Sequence, residues 1–325
     1  MPRFAPLLLL AFAAQTTAFT FTSLKSNHAF TATPELRRSN FVAAPAKRVA
    51  RPQSDNFSRR RVVITAGWGP DPIWETCTIL STTSASKDCV EVTVEVTGKQ
   101  VEDYKIPGQY CQVKVAGDDE AKAIFLAIAS APESSSDEEK KDDSTCRFEF
   151  LIKRSDNNGW IMDAAAGSKV DVSQVLGGGF PIEENLDGFK YDFPTQNVLL
   201  FACGSGIAPI RAAIESGKLD ITPEGKGGRS ARLYYGVRSP EDMVYSDRFS
   251  AWEAGGVQVV PVVSQPEGTD WAGRTGYVQT ALEEDGVAIP RNSGALLCGM
   301  KGMAESVTDL LTKAGMFEGR ILTNF

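Results

Sequence analysis

Two stretches of the chain follow one plan, and that plan limits the folds open to it. VLLFACGSGIAPIRAAI, residues 198–214, sets an apolar run against a Gly-Ser-Gly loop and then a helix-forming segment. LLCGMKGMAESV, residues 296–307, repeats the order: apolar run, Cys-Gly, helix. The runs 198–202, 232–236, 257–263 and 295–298 read as strands. They alternate with helical segments at 207–216, 240–254, 277–284 and 303–313. Strand and helix in alternation predict a parallel sheet with crossover helices. Upstream the pattern is different. Residues 73–81, 89–97, 110–115, 124–129, 147–153 and 169–175 are short β-branched or alternating runs separated by turn residues, which predicts an antiparallel barrel or sandwich. One short helix is expected at 157–166 and a solvated charged loop at 133–145. The expected division is a β domain over 70–185 and an α/β domain over 194–325.

The first 61 residues belong to neither pattern. Residues 1–18 carry Arg3, an apolar core at 7–14 and a small-residue end, the layout of a signal peptide. Residues 19–61 are rich in Ser, Thr, Ala and Arg and hold only Glu35 and Asp55 as acids, as a transit peptide does. This order, with Phe19 at the junction, resembles the two-part leader of plastid proteins in algae with secondary plastids. A secreted protein with a basic pro-segment is the alternative. The segment holds 10 of the 34 Lys and Arg residues and 2 of the 41 Asp and Glu residues. The remainder keeps 24 basic and 39 acidic residues, a net charge of −15. A chain this acidic is a poor general binder of nucleic acid or anionic membrane. No segment reads as a membrane span, and the oligomeric state is left open.

The single histidine, His28, also lies in the leader. Residues 62–325 therefore cannot form a Ser-His triad, a Cys-His dyad or a histidine-ligated zinc site. The six cysteines, at 77, 89, 111, 146, 203 and 298, have neither CxxC nor iron–sulfur spacing, so no metal site is expected. Their scatter suits reduced thiols. Chemistry must come from a cofactor or from groups other than histidine.

The loop of Gly204, Ser205 and Gly206 has two readings. Glycine permits positive φ and leaves no side chain between backbone and phosphate. The helix that follows, through Ile207, Ala208 and Pro209, supplies unpaired N–H groups. Alternatively, the loop is a tight strand-to-helix connection. Cys203 and Cys298 both end strands, where open α/β sheets bind ligands, or they are small buried thiols before glycine turns.

Taken together, these segments resemble the ferredoxin–NADP reductase superfamily, and most nearly its plastid "fruit protein" group. CGSGIAP matches the pyrophosphate loop. CGMKGM, with Cys298, Gly299 and Met300, is similar to the motif whose cysteine lies beside the nicotinamide. Tyr277 and Gln279 match the Tyr-x-Gln that holds the adenosine end, and Ser264 falls where a serine meets the ribose phosphate. PGQY at 107–110, Ile128-Ala129-Ser130 and FLIKR at 150–154 match barrel strands around the flavin. The resemblance covers about residues 73–325. It implies an antiparallel FAD-binding β-barrel followed by a Rossmann-like NAD(P)-binding domain, with FAD or FMN and NADP or NAD as cofactors. An electron-acceptor protein or small molecule would be the further partner.

The departures are specific. The superfamily's Arg-x-Tyr-Ser before Ile-Ala-Ser becomes Ile124, Leu126 and Ala127, and its terminal Glu-x-aromatic becomes Thr323-Asn324-Phe325. Gln265 stands where an arginine often reads the extra phosphate of NADP; Arg238 or Arg274 could take its place. Phe325 keeps an aromatic ring for flavin stacking. For the flavin diphosphate the candidates are the helix start near Gly159 and Trp160, the turn at 177–179, and Lys153, which is otherwise a solvent-exposed strand residue. The expected function is a plastid flavin-dependent NAD(P)H oxidoreductase with Cys298 and Phe325 at the reacting rings. The alternative is a flavin-less, catalytically weak member of the fold that acts as a nucleotide-responsive binding or assembly subunit.

Overall fold

In a computed structural model, the described residues are 71–132, 147–182, 196–223 and 228–324. They belong to one compact unit. The leader, the 133–145 loop and Phe325 lie outside the described residues.

The first sheet has six strands: β1 (Trp74–Ser84), β2 (Cys89–Glu95), β3 (Tyr110–Val115), β4 (Ile124–Ala127), β5 (Arg147–Lys153) and β6 (Lys169–Ser173), in the order β4-β3-β6-β1-β2-β5. All pairings are antiparallel. A bridge between Ile128 and Phe150 joins the two edge strands, so the sheet nearly closes into a barrel. Alternation puts Ile79, Val92, Val94, Val113, Phe148, Phe150 and Ile152 inside, where the rings of Tyr104, Phe148 and Phe150 meet edge to face.

The second sheet is wholly parallel. It comprises β7 (Asn197–Cys203), β8 (Ser230–Val237), β9 (Val257–Val263), β10 (Arg274–Thr275), β11 (Ser293–Cys298) and β12 (Ile321–Thr323), in the order β10-β9-β8-β7-β11-β12. Helices α3 (Ile207–Glu215), α4 (Phe249–Ala254), α5 (Val278–Asp285) and α6 (Lys301–Ala314) cross between its strands. Two apolar clusters form its core: Leu200, Leu233 and Tyr235 belong to one, and Phe201, Tyr234 and Leu297 to the other.

Four local features differ from the sequence expectation. Residues following β2 turn into helix α1 (Gly98–Asp103), started by a capping box in which Thr97 and Gln100 bond each other's backbone. The helix expected at 157–166 is only α2 (Gly159–Met162). The helix expected at 240–254 is broken into two 3-10 turns and α4, because Tyr245 takes a left-handed φ of 61° between them. Strands β10 and β12 are additions of two and three residues.

Candidate active site

The chain leaves β7 outward through β8 and β9 to β10, then returns to build β11 and β12 on the other side. That reversal opens a crevice at the carboxyl ends of β7 and β11, the place where open α/β sheets take ligands. The strands are in parallel register, with Cys298 beside Ala202, so both Cys-Gly turns arrive at the same spot.

Each glycine there has a physical reason. Gly204 adopts a φ of +54°, and a Cβ on it would meet nothing within 4 Å, so it faces open space. Gly206 is the reverse case: a Cβ on it would lie 2.4 Å from the Cys298 carbonyl oxygen, so the loop rests on the β11 turn. Gly299, at φ +150°, leaves room for Cys203 at 2.9 Å from the same hypothetical atom. Ile207, Ala208 and Pro209 begin α3 and are buried; Ala208 and Pro209 line the crevice, while Ile207 goes to the core.

The two thiols at the base are neutral. Burial pushes Cys298 up to about 12, with neighbouring Cys203 adding to the rise and a hydrogen bond with Asn324 opposing it. Burial alone pushes Cys203 up to about 11. Neither is a thiolate near neutral pH. Asn324 closes the base behind β12, and its Oδ1 is buried without a hydrogen-bond partner.

The crevice widens into a cleft of about 870 Å³ whose opposite wall is the barrel. That volume falls within the roughly 300–1,000 Å³ range of small-molecule sites. The barrel wall is Ile124, Phe125, Leu126 and Ala127 of β4 with Leu151, Ile152 and Lys153 of β5, and Phe125 is 61% exposed. Lys153 and Arg238 are the cations among the described lining residues, and Asp88 and Asp242 the carboxylates. Asp242 accepts from the Ser239 amide and hydroxyl and holds that turn. At the far end stand Ser264, Gln265 and Tyr277, the last 58% exposed, with Met300 exposed beside the Cys298 turn.

Several expected positions lie elsewhere. Ile128 and Ala129 are fully buried in the two cores, and Ser130 supports the barrel, its carbonyl accepting from Tyr104 and its hydroxyl from the Glu149 amide. The reason is their backbone pairing beyond the end of β4: Ile128 bridges Phe150 and the Ala129 amide donates to the Glu149 carbonyl, while the cleft takes the residues just before this trio. Gly159 and Trp160 are set back from the lining, with Trp160 packed on the barrel core, while Ser155 and Asn158 reach the cleft. Gln279 is the second residue of α5, off the lining that Tyr277 and Val278 supply. Arg274 is committed to α5, pairing with Asp285 and donating to the Ala281 carbonyl at 3.2 Å, so Arg238 is the arginine that faces the cleft.

Sequence reading missed the joint between barrel and sheet. Arg211, buried in α3, bonds Glu91 of β2 at 3.1 Å, Glu149 of β5 at 2.5 Å and Glu215 at 3.0 Å. Its guanidinium also lies 4.8 Å from the Tyr245 ring centre. Arg248 and the Trp252 indole complete Glu215 at 3.1 and 3.2 Å. An arginine inside the apolar run of α3 was the available signal.

Residues 200–309 match the model of the oxidoreductase NAD-binding domain. "Fruit protein pKIWI502" of Actinidia deliciosa is 34% identical over 262 residues, covering 78% of this chain and 76% of that protein. The chain belongs to the ferredoxin–NADP reductase-like family. A chloroplastic family member, the leaf isozyme 1 ferredoxin–NADP reductase of Oryza sativa subsp. indica, is 23% identical over 49% of this chain and 44% of its own length. The two-domain fold of the family is the fold seen here: the ferredoxin NADP+ reductase of Neisseria gonorrhoeae, solved with FAD and NADP, superposes with a TM-score of 0.59. That match is at 15% identity over 77% of this chain and 97% of that one.

Proposed function

We propose that this chain is a plastid flavin-dependent oxidoreductase that passes electrons between NAD(P)H and FAD and on to an acceptor. The observation that carries the reading is the meeting of the two Cys-Gly turns, at the reversal of strand order, opposite an apolar wall of the barrel. The leader composition of residues 1–61 supports the plastid assignment.

The nicotinamide nucleotide fits the sheet side. The Gly204 φ and the empty space before it suit a pyrophosphate approached by backbone N–H groups at the start of α3. Tyr277, Ser264 and Arg238 line the cleft and suit the adenosine end. The flavin fits the barrel side as an apolar ring against Phe125 and Leu126, with Lys153 to meet a phosphate. FMN would use the same wall. The chemistry such a pair supplies is hydride transfer between ring systems.

The chain's own contribution is placement. Gly206 seats the phosphate loop on β11, and the Arg211 cluster fixes α3 to the barrel, so the two walls keep one spacing. Cys298 stays a neutral thiol and offers a polarizable, uncharged floor. Leu126 and Leu151 keep the cleft's middle apolar.

One observation favours the second reading, a flavin-less nucleotide-responsive subunit: Ile124, Leu126 and Ala127 offer no side-chain hydrogen-bond donor to a flavin. The absorbance of the purified protein decides between them. The proposal expects a flavin band near neutral pH that bleaches on adding NADH or NADPH. A protein that stays colourless after incubation with FAD and FMN yet binds the nicotinamide nucleotide supports the second reading instead.

A further inference from the structure

Pro209 of α3, Cys89 of β2 and Leu151 of β5 all line the cleft. Two positions from each stands a member of one charged cluster: Arg211, Glu91 and Glu149. On a strand such neighbours share a face, so Glu91 and Glu149 lie roughly 7 Å along the wall from the lining residues. The Arg211 Nη1 donates to Glu91 at 3.1 Å and Nη2 to Glu149 at 2.5 Å. Its Nε turns back to Glu215 of the same helix at 3.0 Å. With the side chain 4% exposed and the Tyr245 ring centre 4.8 Å from the guanidinium, the fork is held from several sides. The other contacts between barrel and sheet are of a different kind. Cys89, Ala129 and Leu151 share an apolar cluster with Leu200, Ile207 and Tyr235, and apolar burial is non-directional. The pair of Lys87 and Glu241, at 3.5 Å, stands in solvent, where ion pairs contribute little. A planar fork that must meet two carboxylates along its own N–H axes does fix direction.

We propose that Arg211 is a positioning residue for the hydride step, setting the register of the α3 loop against the barrel wall without touching either ligand. The inference rests on the function proposed above. Arg211 is off the cleft lining, so its part in ligand affinity is small. Its part in rate is large, because a shift of α3 against β2 and β5 changes the separation of the two walls on which nicotinamide and flavin would lie. Transfer between bound rings falls steeply with misplacement, whereas the affinity of each ring for its own wall does not.

The test uses Arg211→Lys, which keeps the charge but replaces the fork with a single point. Native and variant proteins, each loaded with FAD, are mixed with saturating NADH or NADPH, whichever reacts faster, and flavin bleaching is followed by stopped flow. Calorimetry on the same proteins gives the Kd values of FAD and of the oxidised coenzyme. Arg211→Lys is expected to slow the limiting bleaching rate at least about tenfold and to leave both Kd values within about twofold. Bleaching at the native rate overturns the inference. So does a loss of affinity as large as the loss of rate, which would make Arg211 a support of the binding site alone. If the lysine variant does not fold, Glu91→Gln carries the same measurements, since it keeps the side chain's size and leaves Glu149 and Glu215 on the guanidinium. It is expected to slow bleaching about threefold with both Kd values kept, and an unchanged rate overturns the inference. A native protein that takes up no flavin, or whose flavin is not bleached, overturns the proposed function and this inference together.

Discussion

Arg211 of the helix that follows the Gly204–Gly206 loop and Glu91 of the barrel, 120 positions apart in the chain, meet at 3.1 Å. The same guanidinium holds Glu149 and Glu215, so a single cation is shared by three carboxylates at the joint. Removing it takes the cation from Glu91 and Glu149 in partly buried surroundings and leaves Glu215 only Arg248 and Trp252. Arg211→Ala should therefore lower stability by about 3–5 kcal/mol, the cost of breaking a buried ion pair from one side. Chemical denaturation of the native and variant proteins measures this. A loss below 1 kcal/mol would show the joint to be incidental.

Gly204 and Gly206 should separate binding from folding. Gly206→Ala drives a Cβ onto the Cys298 carbonyl and should cost stability by about 1–3 kcal/mol or more, as overpacking does. Gly204→Ala meets no atom of the protein, so its folded-state cost is the left-handed φ, about 1 kcal/mol. Its larger effect should be weaker nucleotide binding. Melting curves and nucleotide titrations on the pair check the contrast.

Lys153 and Arg238 should act on different ligands. Lys153→Ala is expected to weaken flavin retention about tenfold and leave nicotinamide binding alone; Arg238→Ala should do the reverse. Flavin release under dialysis and coenzyme Kd values report the two ends. Equal loss of both ligands in either variant would argue against the assignment of ends.

The buried thiols predict alkaline sensitivity. Desolvation raises Cys77 to about 12, with Glu75 adding to it; the same burial raises Cys298 to about 12 and Cys203 to about 11, from an ordinary 9.0. Between pH 9 and those values the folded chain keeps protons that the unfolded chain has lost. Stability is thus whole below about pH 9 and falls above it, by about 1.4 kcal/mol per pH unit for each such thiol. Denaturation midpoints from pH 8 to 11 should show the decline, and Cys298→Ser should flatten it.

What could be read in advance followed from how local each cause was. Strands β7 and β11 and the loops after them have their chemistry in consecutive residues, and both appear where the pattern put them. Helix α1 has its local signal in Thr97 and Gln100 at capping-box spacing, directly after a strand-like run that extends to Thr97. Strand β12 is three residues that gain their conformation only by pairing with β11, so no periodicity could reveal it. Asn324 and Arg211 matter because of neighbours from other elements, and Tyr245 breaks its helix in a place where Arg211 and Arg248 cover its ring. Ile128 and Ala129 were near the cleft in sequence, but their pairing with Phe150 and Glu149 of β5 takes them into the interior.

The contact of Gly206 with the Cys298 carbonyl also bears on how the protein is made. The loop after β7 has its seat on a strand synthesised much later, so during synthesis it waits unfinished while β8, β9 and β10 emerge. Its final shape depends on a distant closure whose entropy must be met first. A nascent chain lacking β11 would thus be unable to hold a nucleotide, and coenzyme binding would report that the whole parallel sheet has formed.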